Sequence, residues 1–305
     1  MSFGLHSRIV AGNARCSSLA VVILLLAAAS TAVAGSLPGL NLGANKTLSK
    51  SVVMAPAPAP LLAAPGNPGV LPPWSSPFGA SYGEWGARWW RWILSVPAGG
   101  NPLVGDATAF CDAGQSGPVW FLVGQNGSHA CTVPSGRGIF FPIINLYLNA
   151  PCAFPECAAE LTPAACAANP AACTACLQSL ADDFLGSVTE MHVELDGVAL
   201  SNLFNYRGGS GVFSFAADPS LHFIDGCLTD EPQPFLTDGY WLMLAPLRVG
   251  THSLHFSASS TFLGSPFTID VSYALTVAPG GRGRGQLAGA SESSLPWGVI
   301  KQLYK

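Results

Sequence analysis

The sequence predicts a mainly β protein, an antiparallel β-sandwich or jelly roll, carrying an N-terminal tryptophan-rich helix and a small cysteine-rich helical insertion at about residues 152–186. Three observations lead there: two-residue apolar alternation in the C-terminal third, continuous apolar runs bounded by glycines in the middle, and no regular alternation of strands with helices. The composition agrees. Only 10% of the residues are charged, against roughly 25% in an average soluble domain, while 34 are Gly and 25 are Pro, which suits short strands joined by loops. With 49% hydrophobic residues, a chain of 305 has enough apolar surface for a sizeable core.

The first 34 residues read as a secretory signal peptide. His6, Arg8 and Arg15 form a basic start, "LAVVILLLAAA" an apolar middle, and Ala32-Val33-Ala34 a small-residue cleavage site before Gly35. The apolar run is short for the roughly 20 residues of a membrane helix, and no other segment resembles one, so no stable membrane span is expected after cleavage. Cleavage would remove Arg8, Arg15 and Cys16, taking the formal net charge from −4 to −6 and the cysteines from nine to eight. An acidic, lysine-poor chain argues against nucleic acid as a partner. An even cysteine count fits an oxidising compartment, secreted or periplasmic.

Residues 35–77 contain "APAPAPLLAAPGNPGVLPPWSSP", a Pro/Ala-rich stretch that reads as a spacer, and 279–305 read as a flexible tail; the folded body is then about 78–278. The body opens on "YGEWGARWWRWILSVP". Ser81-x-x-Glu84 before an apolar run is a capping box, so a helix starts at Tyr82 and stops before Pro97. At about 100° per residue, Tyr82, Trp85, Trp89, Trp92, Ile93 and Val96 share one face, a stripe for the core. Glu84, Arg88 and Arg91 lie on the watery side. Trp90 and Leu94 fall off the stripe and need a second partner: a covering loop, a subunit, or a carbohydrate stacked on Trp90 as a ligand platform.

"PVWFLVG" and "GIFFPIINLYL" read as strands covered on both faces. In the insertion, Thr162-Pro163 and Asn169-Pro170 are helix starts and Gly186 a stop. "EMHVELDGVAL" places Met191, Val193 and Leu195 inward and turns at Asp196-Gly197. "HSLHFSAS" and "FTIDVSYALTV" alternate as an antiparallel hairpin, with "YWLMLAPL" the strand before them.

Together, "YGEWGARWWRWILSVP", "GQSGPVWFLVG", "CTVPSGRGIFFPIIN" and "DGYWLMLAPLRVGTHSLHF" resemble an uncharacterised family of secreted bacterial proteins, over roughly Tyr82 to Val277 without the cysteine-rich insertion. The resemblance implies a disulfide between Cys111 and Cys131, bracketing the "GPVWFL" strand, and supplies no catalytic residues to carry over. Cys152, Cys157, Cys166, Cys173 and Cys176 depart from the pattern, and their pairing stays open, as does that of Cys227.

The usual enzymatic signatures are missing. "GQSGP" and "GGSGV" lack the last glycine of a nucleophile elbow, and there is no His-Glu-x-x-His, phosphate loop or dinucleotide fingerprint. Cys173-Thr-Ala-Cys176 has redox or zinc spacing, but among neighbouring cysteines of an exported chain it reads as structural. His192 and His255 fall on outward strand faces, His252 is partly covered, and His129 sits in the turn-like "QNGSHAC". The richest polar group is "HFIDGCLTDEPQPFLTDG", which reads as one loop. Asp225, Asp230 and Asp238 there are candidate ligands for Ca²⁺, which takes six to eight oxygens, and His222 beside them is a candidate catalytic base. Two readings follow: a secreted, disulfide-stabilised binding or cell-envelope protein for a small-molecule or glycan ligand, or an extracellular hydrolase of small esters or lactones using calcium.

Overall fold

The computed structural model describes residues 66–149, 162–261 and 266–279. The segment read as a signal peptide with Ala34 and Gly35, most of the stretch read as a spacer, Cys152 and Cys157, and the residues from 280 lie outside the described residues. The chain is mainly β, with nine strands in two mixed sheets and three α-helices among the described residues.

The tryptophan stretch folds as α1 (Tyr82–Ser95), and its capping box forms: the Glu84 N–H donates to Ser81 Oγ at 3.3 Å, while the Ser81 N–H donates to Glu84 Oε2 at 2.7 Å. One face lies on a sheet made of β1 (Val119–Phe121), β3 (Gly138–Asn149), β7 (Gln233–Leu244) and β6 (Phe213–Phe215), in the spatial order β1-β3-β7-β6. Contact is aromatic throughout: Tyr82 meets Phe140 at 6.0 Å, Trp89 meets Trp241 at 5.9 Å, and Trp85 meets Phe121 at 6.1 Å between ring centroids. Each stripe tryptophan also sends its indole N–H to a backbone carbonyl 2.8 Å away, Trp85 to Pro77, Trp89 to Leu122 and Trp92 to Ala113. The helix comes so close to the segment along β7 that a Cβ on Gly83 would lie 1.9 Å from the Gly209 carbonyl oxygen. Only glycine permits that approach.

The second sheet has the order β2-β9-β8-β4-β5, from β2 (Gly127–Pro134), β4 (Val188–Leu195), β5 (Val198–Ala199), β8 (Gly250–Ser260) and β9 (Phe267–Ala278). The β8–β9 hairpin is antiparallel as its alternation requires, and Asp196 (φ 51°) and Gly197 (φ 79°) make the tight turn between β4 and β5. The two sheets meet where Phe141 of β3 lies 4.9 Å from Phe256 of β8, and where the Tyr273 hydroxyl of β9 donates to the Val123 carbonyl at 3.0 Å. In the insertion, α2 (Pro163–Ala168) and α3 (Pro170–Gly186) start at Thr162 and Asn169, whose side chains accept from Ala165 and Ala172.

Four features differ from the sequence expectation. The sheets are mixed, not purely antiparallel, because β1 runs parallel to β3 and β2 parallel to β9. The strand preceding the hairpin, β7, pairs with β3 and β6 in the other sheet. His129 lies within β2, not in a turn, since Cys131 and Val133 of that strand turn inward. The body also begins before residue 78: Val70 and Leu71, in the stretch read as spacer, are buried, and Leu71 donates to the Met243 carbonyl at 2.8 Å.

Cys111 and Cys131 are paired, with Cα atoms 5.6 Å apart and a sequence separation of 20. Closing such a loop is worth about 3 kcal/mol in the chain-entropy picture. Cys131→Ser therefore lowers the melting temperature by several degrees in a thermal scan, and an unchanged transition would remove this bond from the list of stabilising elements.

Candidate functional site

The polar residues singled out from the sequence fall into two separate groups. Asp238 lies in the middle of β7, where Thr237-Asp238-Gly239 had read as a loop, and its side chain is 3% exposed. It does take a cation, but the cation is Arg207. The guanidinium reaches Asp238 Oδ2 at 2.7 Å from Nη2 and 3.2 Å from Nε, and also bonds Asp182 of α3. Gln178 of α3 donates to the same Asp238 oxygen at 3.0 Å, and the Gly239 N–H donates to Oδ1 at 2.7 Å. These bonds pin the cysteine-rich insertion to the first sheet. Burial opposes charge on Arg207, but the hydrogen bonds it donates to Asp238 and Asp182 outweigh it and hold its pKa above the ordinary value.

Asp225 is far from that cluster in its bonding. It is 4% exposed; its Oδ2 accepts from the Tyr147 hydroxyl at 2.9 Å and its Oδ1 from the Cys227 N–H at 2.8 Å. Burial first, then the neighbouring Asp225 charge and hydrogen bond, keep the Tyr147 phenol protonated well past its ordinary range. Asp230 and His222 are exposed on the loop. The calcium site expected at Asp225, Asp230 and Asp238 is thus corrected: two of the carboxylates are committed to different partners and the third stands in solvent. Among the described residues no group of three or more His, Cys, Asp or Glu is placed to hold a metal ion.

Trp90 is 5% exposed, so it offers no open platform for stacking. Its ring meets Tyr147 at 4.5 Å and Trp89 at 4.8 Å, both edge-on. The second partner required by its position off the stripe is therefore β3 itself. Unlike the stripe tryptophans, its Nε1 is buried without a hydrogen-bond acceptor, and so are the Nδ2 atoms of Asn145 and Asn149. Asn145, Tyr147 and Asn149 alternate along a regular stretch of β3 and share one face. Sequence reading missed the two asparagines because they lie inside an otherwise apolar run; an amide in a strand covered on both faces was the available signal.

The Cys173-x-x-Cys176 pair is not a bond: Cys173 pairs with Cys166, Cα atoms 5.0 Å apart, and Cys176 and Cys227 are disulfide-bonded as well. No free cysteine occurs among the described residues. One small crevice lined by Trp92, Cys111, Phe121 and Tyr273 has room, at about 10 Å³, for a single water.

At the β4–β5 turn, His252 Nδ1 lies 2.7 Å from Asp196 Oδ2 and Nε2 lies 2.9 Å from the Arg248 carbonyl. Burial works against a charged ring, but two acceptors, one on each ring nitrogen, outweigh it and raise the His252 pKa. For Asp196, burial raises the pKa, and the bonds from His252 and Ser253 outweigh it and lower it. The His252 contribution is complete below its ordinary pKa of about 6.5 and is lost as pH rises through the raised folded value; the Asp196 contribution is present above about 3.9 and is lost as pH falls through the depressed one. Wild-type protein should melt higher at about pH 5.5 than at about pH 8 from this pair, and His252→Gln should shrink that difference. An identical pH profile in the variant would contradict the assignment.

Comparison with family models, with curated proteins and with solved structures returns no match for this chain.

Proposed function

We propose that this is an exported, disulfide-stabilised binding protein of the cell envelope or its surroundings, its two sheets packed as the layers of a β-sandwich. The observation that carries the reading is the state of its cysteines: Cys111, Cys131, Cys166, Cys173, Cys176 and Cys227 are all in disulfides. Such a framework persists in oxidising compartments and is rare in the cytosol of mesophiles. The basic, apolar and small-residue order of 1–34 supports the same destination. No helix among the described residues is long and apolar enough to cross a membrane. The resemblance to secreted bacterial proteins points the same way.

Binding is favoured over catalysis by how the polar residues are used. Asp238 and Asp182 hold Arg207, and Asp225 holds Tyr147 and a loop amide, so these carboxylates brace the fold. A panel of chromogenic esters and lactones, assayed with and without EDTA, tests this. The proposal expects no turnover in either arm; saturable turnover abolished by EDTA would overturn it in favour of a metal-assisted hydrolase.

A further inference from the structure

We propose that the face of β3 bearing Asn145, Tyr147 and Asn149, with Trp90 of α1 and Asp225 of the connection between β6 and β7, binds a small neutral polyhydroxylated molecule. This rests on the binding-protein reading and names the ligand class and the place. Three buried N–H donors, Trp90 Nε1, Asn145 Nδ2 and Asn149 Nδ2, lack acceptors, and Trp90 and Asn149 are 5% and 3% exposed. A fourth such donor, Trp120 Nε1, belongs to β1, which pairs with the opposite end of β3. Buried polar groups are almost always hydrogen-bonded, and leaving one unpaired costs about 1–3 kcal/mol. Three on α1 and one face of β3, next to stripe tryptophans whose indoles are all paired, mark a place built for something else.

The chemistry of the lining selects the occupant. The donors demand acceptor atoms, which excludes a hydrocarbon, and an ammonium group has none to offer. An anion would accept from all three but would meet the buried Asp225 carboxylate, whose hydrogen bonds come from the neutral Tyr147 hydroxyl and Cys227 amide. A hydroxyl both accepts and donates. A neutral polyol can therefore satisfy the indole and amide N–H groups while giving its own protons to the remaining lone pairs of Asp225. Water has the same chemistry, and the experiment separates the two. Trp90 contributes its N–H and not a stacking face, because Tyr147 and Trp89 already occupy its surroundings.

Isothermal titration of the disulfide-intact exported protein with glucose, galactose, mannose, N-acetylglucosamine and myo-inositol tests the site. At least one should give a saturable isotherm at millimolar concentration. Trp90→Phe, which keeps a ring and removes the N–H, and Asn149→Leu should each weaken it about tenfold, the loss of one good hydrogen bond. Should Asn149→Leu fail to fold, Trp90→Phe with Asp225→Asn decides. Flat isotherms with every sugar mean water alone fills the site and overturn the inference, as would unchanged affinity in Trp90→Phe. An exported, oxidised protein silent to all five leaves the proposed function standing; a reduced cytosolic protein removes that function whatever the titration shows.

Discussion

Trp89→Ala should destabilise the protein by about 3–5 kcal/mol, a large part of the 5–15 kcal/mol that holds a typical domain folded. The ring is 1% exposed and sits between Trp90, Trp92 and Trp241 at 4.8, 5.9 and 5.9 Å, with its N–H on the Leu122 carbonyl. Alanine leaves a cavity where α1 meets the first sheet and strands the Leu122 carbonyl. The helical phase alone would make Trp90→Ala much cheaper. Its burial against Tyr147 instead puts its cost at about 3 kcal/mol, near the bottom of the same range. Urea denaturation measures both, and a loss below about 1 kcal/mol for Trp89→Ala would mean α1 is not the core of the first sheet.

Arg207→Met should be the next most damaging change. It leaves Asp238, 3% exposed, as a buried carboxylate without its cation, a situation that costs about 3–5 kcal/mol; the low end applies because the Arg207 side chain is 33% exposed. The same substitution frees Asp182, so hydrogen exchange along α3 should speed up. Arg207→Met with Asp238→Leu should recover much of the loss, since the cost lies in the orphaned charge and not in the missing attraction. A double variant no better than the single would show that the pair itself, and not burial of one partner, sets the penalty.

Local signals were legible and long-range ones were not. The capping box at Ser81, the helix starts at Thr162 and Asn169, the Asp196-Gly197 turn and the β8–β9 alternation each depend on residues within a few positions, and all appear in the fold. The parallel pairings of β1 with β3 and β2 with β9 join segments whose partners no local pattern specifies. β2 hid because Gly-Ser-His-Ala reads as a turn; tertiary pairing with β9 overrides that weak preference. Asp238 was misplaced for a related reason: Thr-Asp-Gly is turn chemistry, yet Gly239 is needed where a Cβ would press within 2.6 Å of the Asn145 Cβ across the strand pair. Of the candidate site, the acidic residues were visible and their partners were not. Arg207, Tyr147 and Gln178 lie 31, 78 and 60 residues from the carboxylates they bind.

The central claim, an exported protein braced by disulfides, is tested most directly by mass spectrometry of the protein recovered from its native compartment, digested without reduction. The account predicts a chain outside the cytosol beginning at Gly35, with peptides joined through Cys111–Cys131 and Cys166–Cys173 and no free thiol on Cys176 or Cys227. An intact Met1 on a cytosolic chain with reduced cysteines would contradict it.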